Sequence, residues 1–203
     1  MRVTAVKIVV FAGAVLFAGA TKMLAQQAPT PTPVQIVALD ECDPKTFNRV
    51  PDADPQHPVN GVGPDFCKNV ALAFTPLGFV TTIDDLFTEA KNGHPDPNWD
   101  FEPDDVKIKQ GTPILVVNQG GEPHTFTEVK HFGGGFIPDL NSGQPVATEC
   151  SQGFKDLAVA RTRILQGSQL QFGNLSKGQH NFQCCIHPWM RVTIEVTDAD
   201  RDN

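Results

Sequence analysis

The sequence predicts an all-β chain folded as a β-sandwich. Three observations carry that prediction. Seven or more short apolar or alternating segments are separated by turn residues. The 203 residues hold 17 Gly and 17 Pro, a loop-rich load that argues against a helical bundle. Apolar residues make up 40% of the chain, enough for one sizeable core, whereas two independent domains would be cramped.

The elements follow in order. Arg2 and Lys7 precede the uncharged run Ile8 to Ala20, which is too short to span a bilayer comfortably and reads as an export signal, residues 1–25. Ala28-Pro29-Thr30-Pro31-Thr32-Pro33 is a stiff tether. Val34 to Leu39 is a short strand. Residues 40–69, rich in Asp, Pro, Asn and Gly, have little to bury, so a Cys42–Cys67 bridge is their natural staple. Closing a loop of that size stabilises by about 3 kcal/mol in the chain-entropy description. Val70 to Leu86 is apolar and fits either strand or short helix, and 94–98 is a turn-rich connector. Strands then follow at Val106–Lys109, Ile114–Val117 and Phe126–Val129. Phe132 to Cys150 is a long irregular stretch containing Gly133-Gly134-Gly135. Val159–Leu165, Leu170–Phe172, His180–Cys184 and Val192–Val196 complete the strands, the last alternating Val192, Ile194, Val196 against Thr193, Glu195, Thr197. The domain layout is thus a signal over 1–25, a tether and stapled extension over 26–69, and a sandwich over 70–198.

Charge and cysteine content narrow the function. Sixteen Lys and Arg against 23 Asp and Glu give a net charge of −7 with no basic run, which disfavours a nucleic-acid binder or a polybasic membrane-surface protein. Cleavage after Ala25 removes Arg2, Lys7 and Lys22 and takes the charge to −10, favouring a basic or neutral docking partner. Export places Cys42, Cys67, Cys150, Cys184 and Cys185 where disulfides persist. Five is odd, so at least one is a free thiol, an intermolecular partner or a metal ligand, and four cysteines allow three pairings.

The segment His180-Asn181-Phe182-Gln183-Cys184-Cys185-Ile186-His187-Pro188-Trp189-Met190 carries the chemistry. Cys184, His187 and Met190 set a thiolate, an imidazole and a thioether three residues apart, a soft donor set suited to copper. A trigonal His₂Cys site with a weak axial Met needs a second His, and Glu122-Pro123-His124 supplies it. Among the other histidines, His180 reads as a packed, hydrogen-bonded ring, His131 as a surface or loop residue, and His57 and His94 as loop residues without ligand spacing. Asp84-Asp85 and Asp104-Asp105 read as solvated faces, and Trp189 and Phe182 as cover and core for the site. No nucleophile–base grouping stands out, and Gly133–Gly135 lacks the strand–helix setting of a phosphate loop.

In Asn118 to His124 and Cys184 to Met190 the chain resembles the cupredoxins, the plastocyanin, amicyanin and pseudoazurin group. Its Cys-x-x-His-Pro-x-Met form is most similar to amicyanin. The resemblance covers residues 100–197, with 26–69 outside it. It implies a Greek-key sandwich, one type 1 copper held by His124, Cys184, His187 and axial Met190, and one-electron transfer without enzymatic turnover. With Cys184 on copper, the remaining cysteines are expected to pair as Cys42–Cys67 and Cys150–Cys185. Two departures stand out: Thr125 replaces the Asn that often follows the first ligand His, and Arg191 and Val192 stand where Gly often follows the Met. The expected function is an exported, periplasmic or secreted, blue-copper electron carrier exchanging electrons through a His187 ring near solvent. Its partner would be a cytochrome or another copper protein; nucleic acid is not expected, and membrane contact only with an uncleaved signal. The alternatives are a copper-holding or copper-delivery protein, and a membrane-anchored structural module with no redox role.

Overall fold

Alternation along each strand decides which face is buried, and two sheets result. In the computed structural model the described residues are 31–50, 61–68 and 80–199, all within one compact unit, Pro31–Asn203. The export signal and most of the 70–86 stretch lie outside the described residues.

The first sheet runs β2-β1-β4-β8, with β1 at Val34–Leu39, β2 at Asp100–Glu102, β4 at Ile114–Asn118 and β8 at Gln169–Phe172. The second runs β3-β10-β9-β6, with β3 at Asp105–Lys109, β6 at Thr127–Val129, β9 at Gly178–Gln183 and β10 at Arg191–Thr197. A two-residue ladder joins β5, His124–Thr125, to β7, Arg163–Ile164. Chain order crosses between the sheets at β2 to β3, β3 to β4, β4 to β6, β6 to β8 and β8 to β9, in keeping with the Greek-key habit of β-sandwiches. Val106 and Ile108 of β3 and Val192, Ile194 and Val196 of β10 turn inward, while their neighbours face out. They meet Ile36, Ala38, Phe101, Ile114 and Val116 from the opposite sheet in one core. Phe126 sits among these side chains, stacked on Phe182 at 4.5 Å and edge-on to Phe101 at 5.2 Å, arrangements that suit the ring quadrupoles.

Two readings change, and a third, the solvated Asp84-Asp85 face, holds and gains a setting. Residues 34–39, assigned from sequence to the extension, form an inner strand: β1 pairs parallel with β4 from Val34↔Ile114 to Ala38↔Asn118, and antiparallel with β2. Its buried Ile36 and Ala38 belong to the main core. Val159–Leu165 is not a single strand. Asp156 accepts a hydrogen bond from the Ala158 N–H at 2.8 Å and caps a short helix, α3, at Leu157–Arg161, leaving β7 only Arg163–Ile164. Asp84 and Asp85 open a helix: Thr82 accepts from the Asp85 N–H at 3.2 Å and caps α2, Ile83–Lys91, with both acids in its first turn, where the helix dipole favours negative charge. α2 buries Ile83, Leu86 and Ala90 beside Phe47, which belongs to α1 at Pro44–Phe47. No described helix is long and apolar enough to cross a membrane.

Candidate metal centre

Two turns at one end of the sandwich bring the chemical groups together. β9 and β10 pair antiparallel up to Gln183↔Arg191, so residues 184–190 close that hairpin. Within it the Cys184 N–H donates to the Met190 carbonyl and the Met190 N–H to that of His187, both at 3.0 Å. The second turn follows β4. Asn118 accepts from the Gly120 N–H at 2.9 Å and donates through Nδ2 to the carbonyls of Glu122, 2.6 Å, and Ile164, 3.0 Å. That buried amide fixes the bend delivering His124 into its ladder with Ile164.

His124, Cys184 and His187 converge. The Nδ1 atoms of both rings stand 4.0 Å from Cys184 Sγ, and the three donor atoms lie within 4.8 Å of one another. A triangle of those sides has a point roughly 2.2–2.5 Å from every corner, the reach of metal–nitrogen and metal–thiolate bonds. All three residues are buried. The donor set, two imidazoles and one thiol, fits a soft or borderline transition metal. Two backbone N–H groups, of Thr125 and His187, point at Sγ from 3.4 Å. Met190 is buried in the same loop.

The outer nitrogens of both rings are held by carboxylates. Asp40 follows directly on β1, and because Ala38 pairs with Asn118, its side chain arrives beside the 120–122 turn. One oxygen accepts from the Gly121 N–H at 2.8 Å; the other accepts from the Glu122 N–H at 3.0 Å and meets Nε2 of His124 at 2.8 Å. A Cβ at Gly120 would overlap this carboxylate, so the close approach requires glycine there. Glu122 stands in the corresponding place behind His187, with Oε2 3.0 Å from Nε2 in an ion-pair contact. With Nε2 engaged outside, each ring turns Nδ1 inward, which is how such partners fix tautomer and orientation.

Charge alternates along this buried row. Burial works against the His124 cation, but Asp40 and Cys184 on either side push its pKa up to about 10. Burial also opposes charge on His187, and Glu122 and Cys184 raise it to about 9. Burial alone would raise the Cys184 thiol; hydrogen bonding and charge from the two rings hold it well below its ordinary range. Burial likewise raises Asp40, yet His124 and the turn N–H groups leave it net lowered. Burial dominates at Glu122, which is raised despite His187. In the metal-free site the opposite charges therefore favour the protonated rings and the deprotonated thiol together.

The neighbouring residues lock the two turns together. Thr125 Oγ1 accepts from the Cys185 N–H at 2.7 Å, so the hydroxyl joins the two segments directly. Arg191 donates to the Pro188 carbonyl at 2.8 Å and to Gln144 Oε1 at 2.7 Å, tying the hairpin loop to the long 132–150 stretch. Cys42 is bonded to Cys67 and Cys150 to Cys185, leaving Cys184 as the free thiol. Cys184 faces the main core, whereas Cys185 packs with Val129, Ala147 and Val159 in a second cluster.

One expectation is corrected here. His187 does not lie near solvent; it is 2% exposed. Trp189 packs 5.6 Å from its ring and Trp99 6.2 Å, and α1, α2 and residues 61–68 bring an apolar wall up to it. His180 is not part of the centre. Its nitrogens bond Glu128 at 2.6 Å and the Ser176 carbonyl at 2.9 Å. His131 and His94 are exposed, and His57 lies outside the described residues. Sequence reasoning missed Asp40 and Glu122 as partners of the rings. The acid two residues before His124 was a usable signal for Glu122; Asp40, 84 positions from His124, had none.

No family model and no curated protein matches the chain. Among solved structures it is similar to a Cu(I) form of an amicyanin variant, at 13% identity over 49% of this chain and 74% of that one, with a TM-score of 0.31. It is also similar to a purple cupredoxin from Nitrosopumilus maritimus, at 12% identity over 80% and 98%, with a TM-score of 0.37. Likeness at that level carries no weight about function. By its own two-sheet sandwich and the His124, Cys184 and His187 cluster at one end, the chain is cupredoxin-like.

Proposed function

We propose that the protein holds one copper ion through His124 Nδ1, Cys184 Sγ and His187 Nδ1, with Met190 as weak axial donor, and carries single electrons to or from another redox protein. The convergence of those three donor atoms carries this proposal. Copper bound there would supply a one-electron couple; the chain supplies a site that changes little between the two states. Asp40 and Glu122 fix the rings, the Thr125 and His187 N–H groups stabilise negative charge on Sγ, and the Thr125 to Cys185 bond joins the turns. Burial of every donor keeps water from reorganising around the charge. The two disulfides suit an oxidising compartment, in keeping with export to the periplasm or beyond. No residues are assigned to enzymatic turnover.

The test is addition of Cu(II) to the purified full chain. One equivalent should bind and give intense visible thiolate-to-copper absorption that disappears on reduction. Rapid electron exchange with a cytochrome, with copper retained against a chelator, supports the carrier. Ready loss of copper to an acceptor supports a holding or delivery protein instead, and no colour at any loading removes the copper proposal altogether.

A further inference from the structure

The burial of His187 removes the direct path between a ring of the centre and solvent. We propose that Trp189 is the electron port: its indole is where a redox partner touches the chain, and it bridges the partner to His187. This rests on the copper reading above and adds the route to it. Three observations single out Trp189.

The first is position. Along the hairpin loop 184–190 every residue is buried except Trp189, which is half-buried. The other turn offers no opening, since every residue from Gly120 to Phe126 is buried as well.

The second is contact. The indole meets the His187 ring edge-on, with centroids 5.6 Å apart. Electronic coupling falls off exponentially with the gap to be crossed, and packed conjugated rings carry it better than space does. Trp99 is nearly as close, 6.2 Å from His187, but it is 1% exposed and stacks on buried Phe47, so it leads inward. Where His187 lines the apolar cavity, of about 230 Å³, the path crosses open space instead of packed atoms.

The third is the choice of residue. Trp189 Nε1 is buried with no hydrogen-bond partner among the described residues. A side chain serving only as cover would avoid that unpaired N–H as phenylalanine or leucine. The indole supplies what an interface anchor supplies, a large and rigid apolar contact. Each transfer moves one electron between Cu(I) on one side and the partner's oxidised haem or copper on the other, with no bond made or broken and no radical formed on the indole.

Two measurements test this. The chain has two tryptophans, Trp99 and Trp189. In the metal-free full chain, acrylamide should quench a share of the fluorescence that is lost in Trp189→Phe, where buried Trp99 is the remaining emitter. Emission equally protected in both chains would put the Trp189 ring beyond a partner's reach and overturn the proposal. In the copper-loaded chain, electron self-exchange between Cu(I) and Cu(II) copies is read from NMR line broadening at high salt, with no driving force to vary and charge repulsion screened. Trp189→Leu should slow it at least about tenfold, the loss expected on truncating an anchoring Trp. Trp189→Phe keeps a ring against His187 and should restore most of the rate. Both variants should keep the visible colour, since no donor atom is touched. Unchanged self-exchange in Trp189→Leu overturns the port, and so does faster exchange, which would make the indole a shield over His187. Failure of the copper reading shows separately, as a parent chain without colour, and takes this inference with it.

Discussion

Asp40→Asn isolates what the carboxylate behind His124 contributes. Asp40 accepts from the Gly121 and Glu122 N–H groups and meets His124 Nε2, at 2.8, 3.0 and 2.8 Å. An amide of the same shape has one acceptor oxygen. Its NH₂ must therefore face either the turn or Nε2, setting donor against donor in a buried place. It also takes away the charge that holds the His124 cation. Removing one partner of a buried ion pair costs about 3–5 kcal/mol, and retained volume with one surviving acceptor places Asn near the low end, about 3 kcal/mol. At about 2–4 °C per kcal/mol for a chain of this size, the metal-free melting temperature should fall by roughly 6–12 °C. A second readout separates this from simple damage. His124, pushed up to about 10 by its neighbours, loses its proton only when metal displaces it. Without the Asp40 charge that proton is held less firmly, so metal uptake at pH 8 should release fewer protons than in the parent chain, where two leave. Calorimetry in buffers of different ionisation enthalpy counts them. An unchanged melting temperature with two protons still released would falsify the role given to Asp40.

Four further outcomes are expected. Cys184→Ser should abolish the visible colour, while Cys185→Ser, which removes the bridge to Cys150 on the other face, should keep it and lower stability by about 2–5 kcal/mol; absorption spectra and melts of both decide. Met190→Leu should keep the colour and raise the potential, read by redox titration, because the weak axial donor is lost. Metal-free stability should fall by about 1.4 kcal/mol per pH unit between pH 6.5 and 9: the folded chain keeps two imidazole protons until about 9 and 10, whereas the unfolded chain sheds them near 6.5 and holds one thiol proton that the folded site lacks. Urea midpoints across that range check the sign, and a rise would refute the charge assignment. Gly135→Ala should lower stability in the same urea assay, since a Cβ there would overlap the Cys185 carbonyl that accepts from Phe136 N–H at 2.9 Å.

The sequence by itself determined what local pattern and spacing encode. Alternation in Val106–Lys109 and Val192–Val196 named both the strands and their buried faces, because a period of two leaves little freedom once one face is apolar. Spacing of three between Cys184 and His187, with a His after Pro upstream, pointed to the three residues whose donor atoms converge at one end. Local pattern misled where capping intervened: Asp156 caps a helix at Leu157–Arg161, so the strand expected over Val159–Leu165 keeps only Arg163–Ile164. The tertiary structure alone decided the rest. Asp40 reaches His124 only because β1 is inserted between β2 and β4, a parallel pairing that no local pattern announces. The burial of His187 comes from helices and loops far away in sequence, as does the cavity beside it. Whether a ligand ring meets solvent, a carboxylate or an apolar wall depends on which distant segments pack there, and that is settled by the whole fold rather than by the residues on either side of the ring.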